Sequence, residues 1–551
     1  MPPSTDDAND SPISILHEDL LFNIFLENTF LEFDDKLQEP ISFYGRTSAL
    51  TTARHCSQVS RQWRSIYLSS SFIWGRLIDV GELAQKTDDW RNEVIARTGE
   101  ALLWVYGRSR SAKTPDFFHP FLLKNWERVQ ILIIEQRIYN WSSSRTYRQK
   151  MWAFLREPAP QLQRIYISGI SSSLAETYLP PAHSLFNNNA PRLKHFSISN
   201  KIPHTSWRGN LSSLSLSSQF AMEEFLKLLQ DMPELTSLKI IDQSLISNPN
   251  QEVFPPVILP KLKRLSLAAG GSFLNAGTIL QCITPSPDCC LCAPLQNMRE
   301  LNIRTAGDYK RYEAGLASFI LPYLSLHPPS GEVKLVALCN CSFVLLQLSG
   351  QDFAITFSAH SESRHSHSPR SPLLKKLISQ AAFAKVNMVT VQNLSFTPPQ
   401  LEAFNCILEA FPSATTLEAA DSFLQTLFHH LDRNRMSALL PALVTLKVSN
   451  RFPPEEYVER ESPLERFLEL RKEIGRQISV LDLGVITGNK WAINLDHFEL
   501  DHPGLLVKWS SESQRKCSID GVRRNIEEYR CGDGHPERLR FAAKQVTTSV
   551  Q

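Results

Sequence analysis

The sequence predicts an α/β chain in which a small, all-helical N-terminal unit precedes an irregular solenoid with parallel strands. Two observations carry this expectation. Amphipathic helical patterns dominate the first eighty residues, and a short apolar phrase, L-x-x-L-x-L, then returns at intervals of 18 to 36 residues from Val129 to Met298 and again at Leu443 and Ile478. Composition is the third: 551 residues with 42% hydrophobic and 21% charged side chains describe a globular chain too long for one ordinary domain.

Residues 1–11 read as a polar, disordered tail. They carry three Asp residues and lack the basic and apolar regions of a signal peptide. The helical unit is expected over 12–80. Leu20, Leu21, Ile24 and Phe25 fall on one helical face, and Glu18 and Asp19 occupy the first turn, where acidic groups complement the helix dipole. An irregular insertion near 31–48 separates this helix from a second, whose apolar positions Leu50, Ala53, Cys56, Val59, Trp63 and Ile66 step by three or four. Ser69-Ser70-Ser71 breaks the run before the cluster Phe72-Ile73-Trp74. Such a unit buries about five or six large side chains at roughly 1.5–3 kcal/mol each, against about 1–2 kcal/mol of backbone entropy per ordered residue. It gains by docking an exposed apolar face on something else.

Three blocks of this segment, Ile15-Leu16-His17-Glu18-Asp19-Leu20-Leu21-Phe22-Asn23-Ile24-Phe25, Cys56-Ser57-Gln58-Val59-Ser60-Arg61-Gln62-Trp63-Arg64-Ser65-Ile66 and Ser71-Phe72-Ile73-Trp74, resemble in order and spacing the F-box of fungal F-box proteins. The resemblance covers 12–80. It implies docking on a Skp-type adaptor and, through it, on a cullin scaffold of a ubiquitin ligase. The adaptor-facing residues it implies are Leu16, Leu20, Leu21, Ile24, Val59, Trp63 and Trp74. Two departures stand out: the usual Leu-Pro opening is Leu16-His17, and the connection between the helices is long.

Residues 81–545 are expected to form the strand-bearing domain. The best phrases begin at Leu162, Leu193, Leu211, Leu235 and Leu262. Their second and third apolar positions lie two apart, so both point to one face of a short strand. Helical patterns fill the gaps at 220–232, 400–410, 422–431 and 464–474. One strand–helix unit cannot bury both faces, so stacked neighbours solve the problem. This resembles a degenerate leucine-rich-repeat domain, although the consensus Asn after each strand is mostly missing. Loops are expected at 244–260, 269–294 and 327–331. A disordered loop is expected near 359–373, where Ser368-Pro369 and Ser371-Pro372 are candidate phosphorylation sites.

Chemistry is sparse. A net charge of +2 gives no field that argues for nucleic acid or an anionic membrane, and no apolar run spans a bilayer. Ten cysteines are too few for a disulfide scaffold and point to the cytoplasm or nucleus. Four of them, Cys282, Cys289, Cys290 and Cys292, invite zinc, but their spacing departs from paired C-x-x-C knuckles. Cys517, Cys531 and His535 are a weaker set. Glycine is scarce at 21 residues, no G-x-S-x-G elbow occurs, and Gly484 to Lys490 is one residue short of a phosphate loop. No catalytic residue, cofactor or metal is expected. The expectation is a noncatalytic substrate-recognition subunit of a Skp-cullin-F-box type ubiquitin ligase, with an unknown protein target held by the repeats. The alternative is a leucine-rich-repeat-like interaction scaffold with no role in ubiquitination.

Overall fold

The computed structural model describes residues 16–29, 33–34, 39–40, 48–84, 88–109, 114–136, 152–169, 179–198, 202, 204–216, 220–240, 245–246, 254–267, 273–293, 306–337, 343–348, 353–358, 372–379, 383–392, 407–430, 436, 438–448, 462–486, 493–511 and 525–541. It is a mixed α/β chain rich in parallel strands. Two compact units divide it, Met1–Ser266 with Cys282–Ser286, and Leu267–Gln281 with Pro287–Gln551.

The first unit begins with four helices: α1 (Glu18–Asn28), α2 (Ala49–Cys56), α3 (Arg61–Ser69) and α4 (Ser71–Gly75). Serines start the last two. Ser60 Oγ accepts from Trp63 N at 3.1 Å and Ser70 Oγ from Ile73 N at 3.2 Å, satisfying N–H groups the helix itself cannot. Phe25 of α1 stacks on Tyr67 at 4.4 Å and meets Trp63 edge-on at 4.9 Å, which fastens α1 to α3.

A ladder of short strands follows: β1 (Ile78–Asp79), β2 (Leu103–Ser109), β3 (Val129–Gln136), β4 (Arg164–Ser168), β5 (His195–Ile198), β6 (Ser213–Leu216), β7 (Ser237–Ile240) and β8 (Arg264–Leu267). Each of β1 to β7 pairs in parallel with the next in sequence as far as β7. Parallel neighbours need a crossover. Among the described residues α-helices lie in three of them, at Asp89–Arg97, Thr114–Asn125 and Met222–Gln230, the last burying Phe225, Leu228 and Leu229, and 3₁₀ turns lie in the other three, at Ala153–Arg156, Ala182–Asn188 and Ser206–Asn210.

The L-x-x-L-x-L phrases are these strands. Leu162, Ile165 and Ile167 are at most 2% exposed, as are Leu193, Phe196 and Ile198, and Leu211, Leu214 and Leu216. The first leucine also closes a turn. Leu162, Leu193, Leu211, Leu235 and Leu262 donate their N–H to the carbonyl three residues back, on Ala159, Ala190, Arg208, Met232 and Leu259. Strand entry repeats too: Lys194 and His195 both donate to Gln163 O, Ser212 and Ser213 to Lys194 O, Thr236 and Ser237 to Ser212 O, and Lys263 and Arg264 to Thr236 O.

The second unit uses the same entry. Thr415 and Thr416 share Asn387 O, Val444 and Thr445 share Thr415 O, and Ser479 and Val480 share Val444 O. Its strands are β9 (Glu332–Ala337), β10 (Phe343–Leu348), β11 (Phe353–Ser358), β12 (Met388–Gln392), β13 (Thr416–Ala419), β14 (Thr445–Val448), β15 (Val480–Ile486), β16 (Leu506–Ser511) and β17 (Asn525–Arg530). The run β9–β12–β13–β14–β15–β16 is parallel. The hairpin β10–β11 packs antiparallel beside β9, and β17 closes antiparallel on β16. Arg471 holds one entry turn from inside: 2% exposed, it donates to the carbonyls of Leu439, Leu440 and Leu443, and burial lowers its pKa to about 10.

Several loop expectations are corrected. The stretch 269–294 carries a helix, Phe273–Cys282, and short strands at Ile283–Pro285 and Cys290–Cys292. Its apolar content is used: Gly277 lets this helix approach the helix Ala306–Leu326 so closely that a Cβ would lie 2.7 Å from Tyr312 N. Strands at Leu245–Ile246 and Val257–Leu259 also interrupt the loop expected at 244–260. The tail 1–11, most of the insertion 31–48, the Met298 phrase and residues 359–371 lie outside the described residues, while Pro372–Ser379 is helical.

Candidate functional site

Helix α1 has more apolar surface than the chain covers. Leu21 and Phe25 form its buried stripe at 0% and 2% exposure, whereas Leu20 and Ile24, one position earlier in each turn, stand 54% and 50% exposed. Positions four apart share a helix face, so Leu20 and Ile24 make one apolar strip beside the core stripe. Val59, in the turn between α2 and α3, is 60% exposed. Of eleven large hydrophobic side chains exposed among the described residues, five lie in this short segment: Leu20, Ile24, Val59, Leu68 and Phe72. Single exposed leucines are ordinary, but this concentration on four helices is not. Covering side chains half exposed regains about 1 kcal/mol each.

The other residues on the sequence-derived list fall into two groups. Leu16 and Trp63 are half-buried, Trp63 with its ring against Phe25. Leu21 and Trp74 are core side chains that present no surface to a partner, at 0% and 1% exposure. Trp74 Nε1 donates to Tyr67 O at 2.6 Å, Arg97 lies over its ring at 4.9 Å, and Trp90 meets it edge-on at 6.3 Å. Gly75 packs so close to Leu102 that a Cβ would sit 2.6 Å from its carbonyl oxygen. Helix α4 therefore belongs as much to the start of the strand ladder as to the helical bundle. Periodicity placed Trp74 among apolar residues and carried no information on which side it faces.

His17 is the N-cap of α1. Its Nδ1 accepts from Asp19 N at 3.3 Å, and its φ of −61° lies where a proline ring would fix it. A side-chain cap thus supplies in part what the missing proline would have supplied by rigidity.

No second centre assembles from the other motifs. Cys282 ends its helix, Cys289 is buried, and Cys290 and Cys292 lie on a strand; among the described residues no three His, Cys, Asp or Glu side chains gather in a metal-binding cluster. Cys517 lies outside the described residues, and burial pushes the Cys531 thiol up to about 11, away from a reactive thiolate. Gly484 sits at a strand irregularity in β15 with φ +65°, its N–H on Asp482 Oδ1 at 2.8 Å, where a phosphate loop would need a strand-to-helix turn. No helix among the described residues is long and apolar enough to cross a membrane. Comparison with protein-family models and with curated proteins gives no match.

Proposed function

We propose that the chain is a noncatalytic receptor: an F-box-like helical unit docks on a Skp-type adaptor, and through it a cullin scaffold, while an irregular leucine-rich-repeat-like solenoid holds a protein target. The observation that carries the reading is the uncovered strip Leu20–Ile24 with Val59 on a helical unit whose three sequence blocks resemble an F-box. The repeated turn and strand entry of the phrases support the repeat part. The receptor works by proximity, raising the effective concentration of target lysines near a ubiquitin-loaded enzyme held elsewhere in the complex. Leu16, Leu20, Ile24, Val59 and Trp63 form the adaptor face, and Leu21 and Trp74 support it from the core. Co-purification of the intact chain with a Skp-type adaptor tests the reading, and failure of that adaptor to bind overturns it.

A scaffold with no role in ubiquitination is the second reading, favoured by one observation: α4 packs on Trp90 and Leu102, as an end cap on a ladder would. Truncation separates the two. Cutting after residue 80 removes Trp74 and the paired strand β1, so it damages the ladder under either reading. Removing residues 1–69 instead leaves α4 and β1 in place. The receptor reading predicts a folded ladder that no longer binds adaptor; the scaffold reading predicts a cooperative loss of folding.

A further inference from the structure

The ladder of the first unit has a cleft of about 240 Å³ on one of its faces, lined by residues of β4 to β8. Strand register builds it. Arg164, His195, Ser213 and Ser237 are Cα partners across β4, β5, β6 and β7, and Arg264 occupies the same entry position on β8, its N–H bonding Thr236 O as that of Ser237 bonds Ser212 O. A second row, Tyr166, Ser197 and Ser215, runs alongside two residues further on. Two guanidiniums thus flank a floor of hydroxyls, and none of the eleven lining residues carries a carboxylate.

Three features mark this as a place for an anion. Ser237 is 8% exposed and its hydroxyl has no hydrogen-bond partner, so a donor has been buried in the cleft wall with nothing to donate to. Arg164 Nη2 approaches His195 Nε2 at 3.2 Å, which orients the guanidinium along the row. His195 has its pKa lowered to about 4 by burial first and then by Arg164 and Lys194, so it stays neutral near pH 7 and can accept from Arg164. Guanidinium forks match tetrahedral oxyanions with paired N–H groups, and serine hydroxyls rotate to complete the shell.

We propose that this cleft binds a phosphate monoester, with Arg164 and Arg264 on its oxygens and Ser213, Ser215 and Ser237 donating from the floor. The cleft has room for one phosphorylated side chain or one small phosphate ester. The inference deepens the receptor reading by giving the target a chemistry, yet its test uses no adaptor, so the two fail separately.

The experiment is calorimetric titration of the intact chain with three probes: inorganic phosphate, glycerol 3-phosphate, and a short peptide carrying one phosphoserine, with the same peptide carrying glutamate as the control. Saturable binding of a phosphate ester, weakened at least tenfold in both Arg164→Gln and Arg264→Gln and severalfold in Ser237→Ala, is the expected result. Preference for the phosphopeptide assigns the cleft to a protein target, and preference for glycerol 3-phosphate assigns it to a small ester. Should an arginine variant fail to fold, Ser237→Ala decides, because it removes only an unpartnered hydroxyl. Absence of saturable phosphate binding, binding of the glutamate peptide as tight as the phosphopeptide, or binding indifferent to Ser237→Ala and to whichever arginine variants fold overturns the proposal.

Discussion

Two ladders built on the same turn and the same strand entry differ in what their polar faces do with charge. In the second unit a row across the strands alternates sign: Glu418 is the Cα partner of Lys447, Lys447 of Asp482, Asp482 of Lys508 and Lys508 of Glu528. The ions close on one another, Lys447 on Glu418 at 2.8 Å and Lys508 on Glu528 at 3.6 Å, and Thr390 donates to Glu332 at 2.6 Å. The hydrogen bond to Glu418 raises the Lys447 pKa. In the first unit the corresponding row holds Tyr166, Ser197, Ser215 and Lys239. The row two residues earlier, which holds Met388, Thr416, Thr445 and Val480 in the second unit, holds Arg164, His195, Ser213, Ser237 and, at the same entry position on β8, Arg264. The row of the second unit pairs acids with bases, while the residues lining the cleft of the first include two arginines and no carboxylate. Similar backbones thus carry different surface chemistry, because the outward positions of the strands are free to vary while the inward ones stay apolar.

If the ladders are equivalent underneath, their cores must cost the same to damage. Leu214→Ala on β6 and Leu446→Ala on β14, both at 0% exposure, should each lose about 2–5 kcal/mol in urea unfolding. A loss below about 1 kcal/mol in either would break the equivalence. Next in size is a pH effect confined to the first ladder. The folded pKa of His195, near 4, lies below its unfolded value of 6.5, so the unfolded chain binds the extra proton between those values. Stability is therefore full above pH 6.5, falls by at most about 3 kcal/mol toward pH 4, and is level in this contribution below it. His195→Gln should flatten that part of the profile; an unchanged profile contradicts the buried neutral imidazole. Smallest is the second ladder's own pairing. Glu418→Gln should cost less than about 1 kcal/mol, because the pair is partly exposed, and 1 M salt should shrink the difference.

Much of this was legible in the sequence, and the limits have physical reasons. Leu162, Leu193, Leu211, Leu235, Leu262, Leu443 and the Ile478 phrase mark real strands, because leucine at the turn and at the two inward positions is a strong signal. The strands β12 and β13 escaped notice because Val386-x-x-Val389-x-Val391 and Ala414-x-x-Leu417-x-Ala419 fill the same positions with smaller groups. Helices at 464–474 and 422–431 fall within a residue or so of Pro463–Glu473 and Asp421–His430. In α1 the pattern showed four apolar positions and could not separate Leu21 and Phe25, which face the core, from Leu20 and Ile24, which do not. The cleft was missed because its residues sit at the x before the second apolar position of each phrase. Stacking the phrases and reading down that column gives Arg164, His195, Ser213, Ser237 and Arg264, against Thr445 and Val480 in the later copies. That column was the available signal.

The most direct test of the receptor reading is the affinity of the intact chain for a Skp-type adaptor, measured on a biosensor alongside two variants. Leu20→Asp combined with Ile24→Asp puts two carboxylates into the strip, and Val444→Asp puts one on a side chain of the second unit that is 42% exposed. The predicted result is tight binding by the unaltered chain, a loss of at least a hundredfold in the double variant with its unfolding midpoint preserved, and no change for Val444→Asp. No binding by the unaltered chain, or equal binding by the double variant, would contradict the claim that this strip is where the chain meets its adaptor.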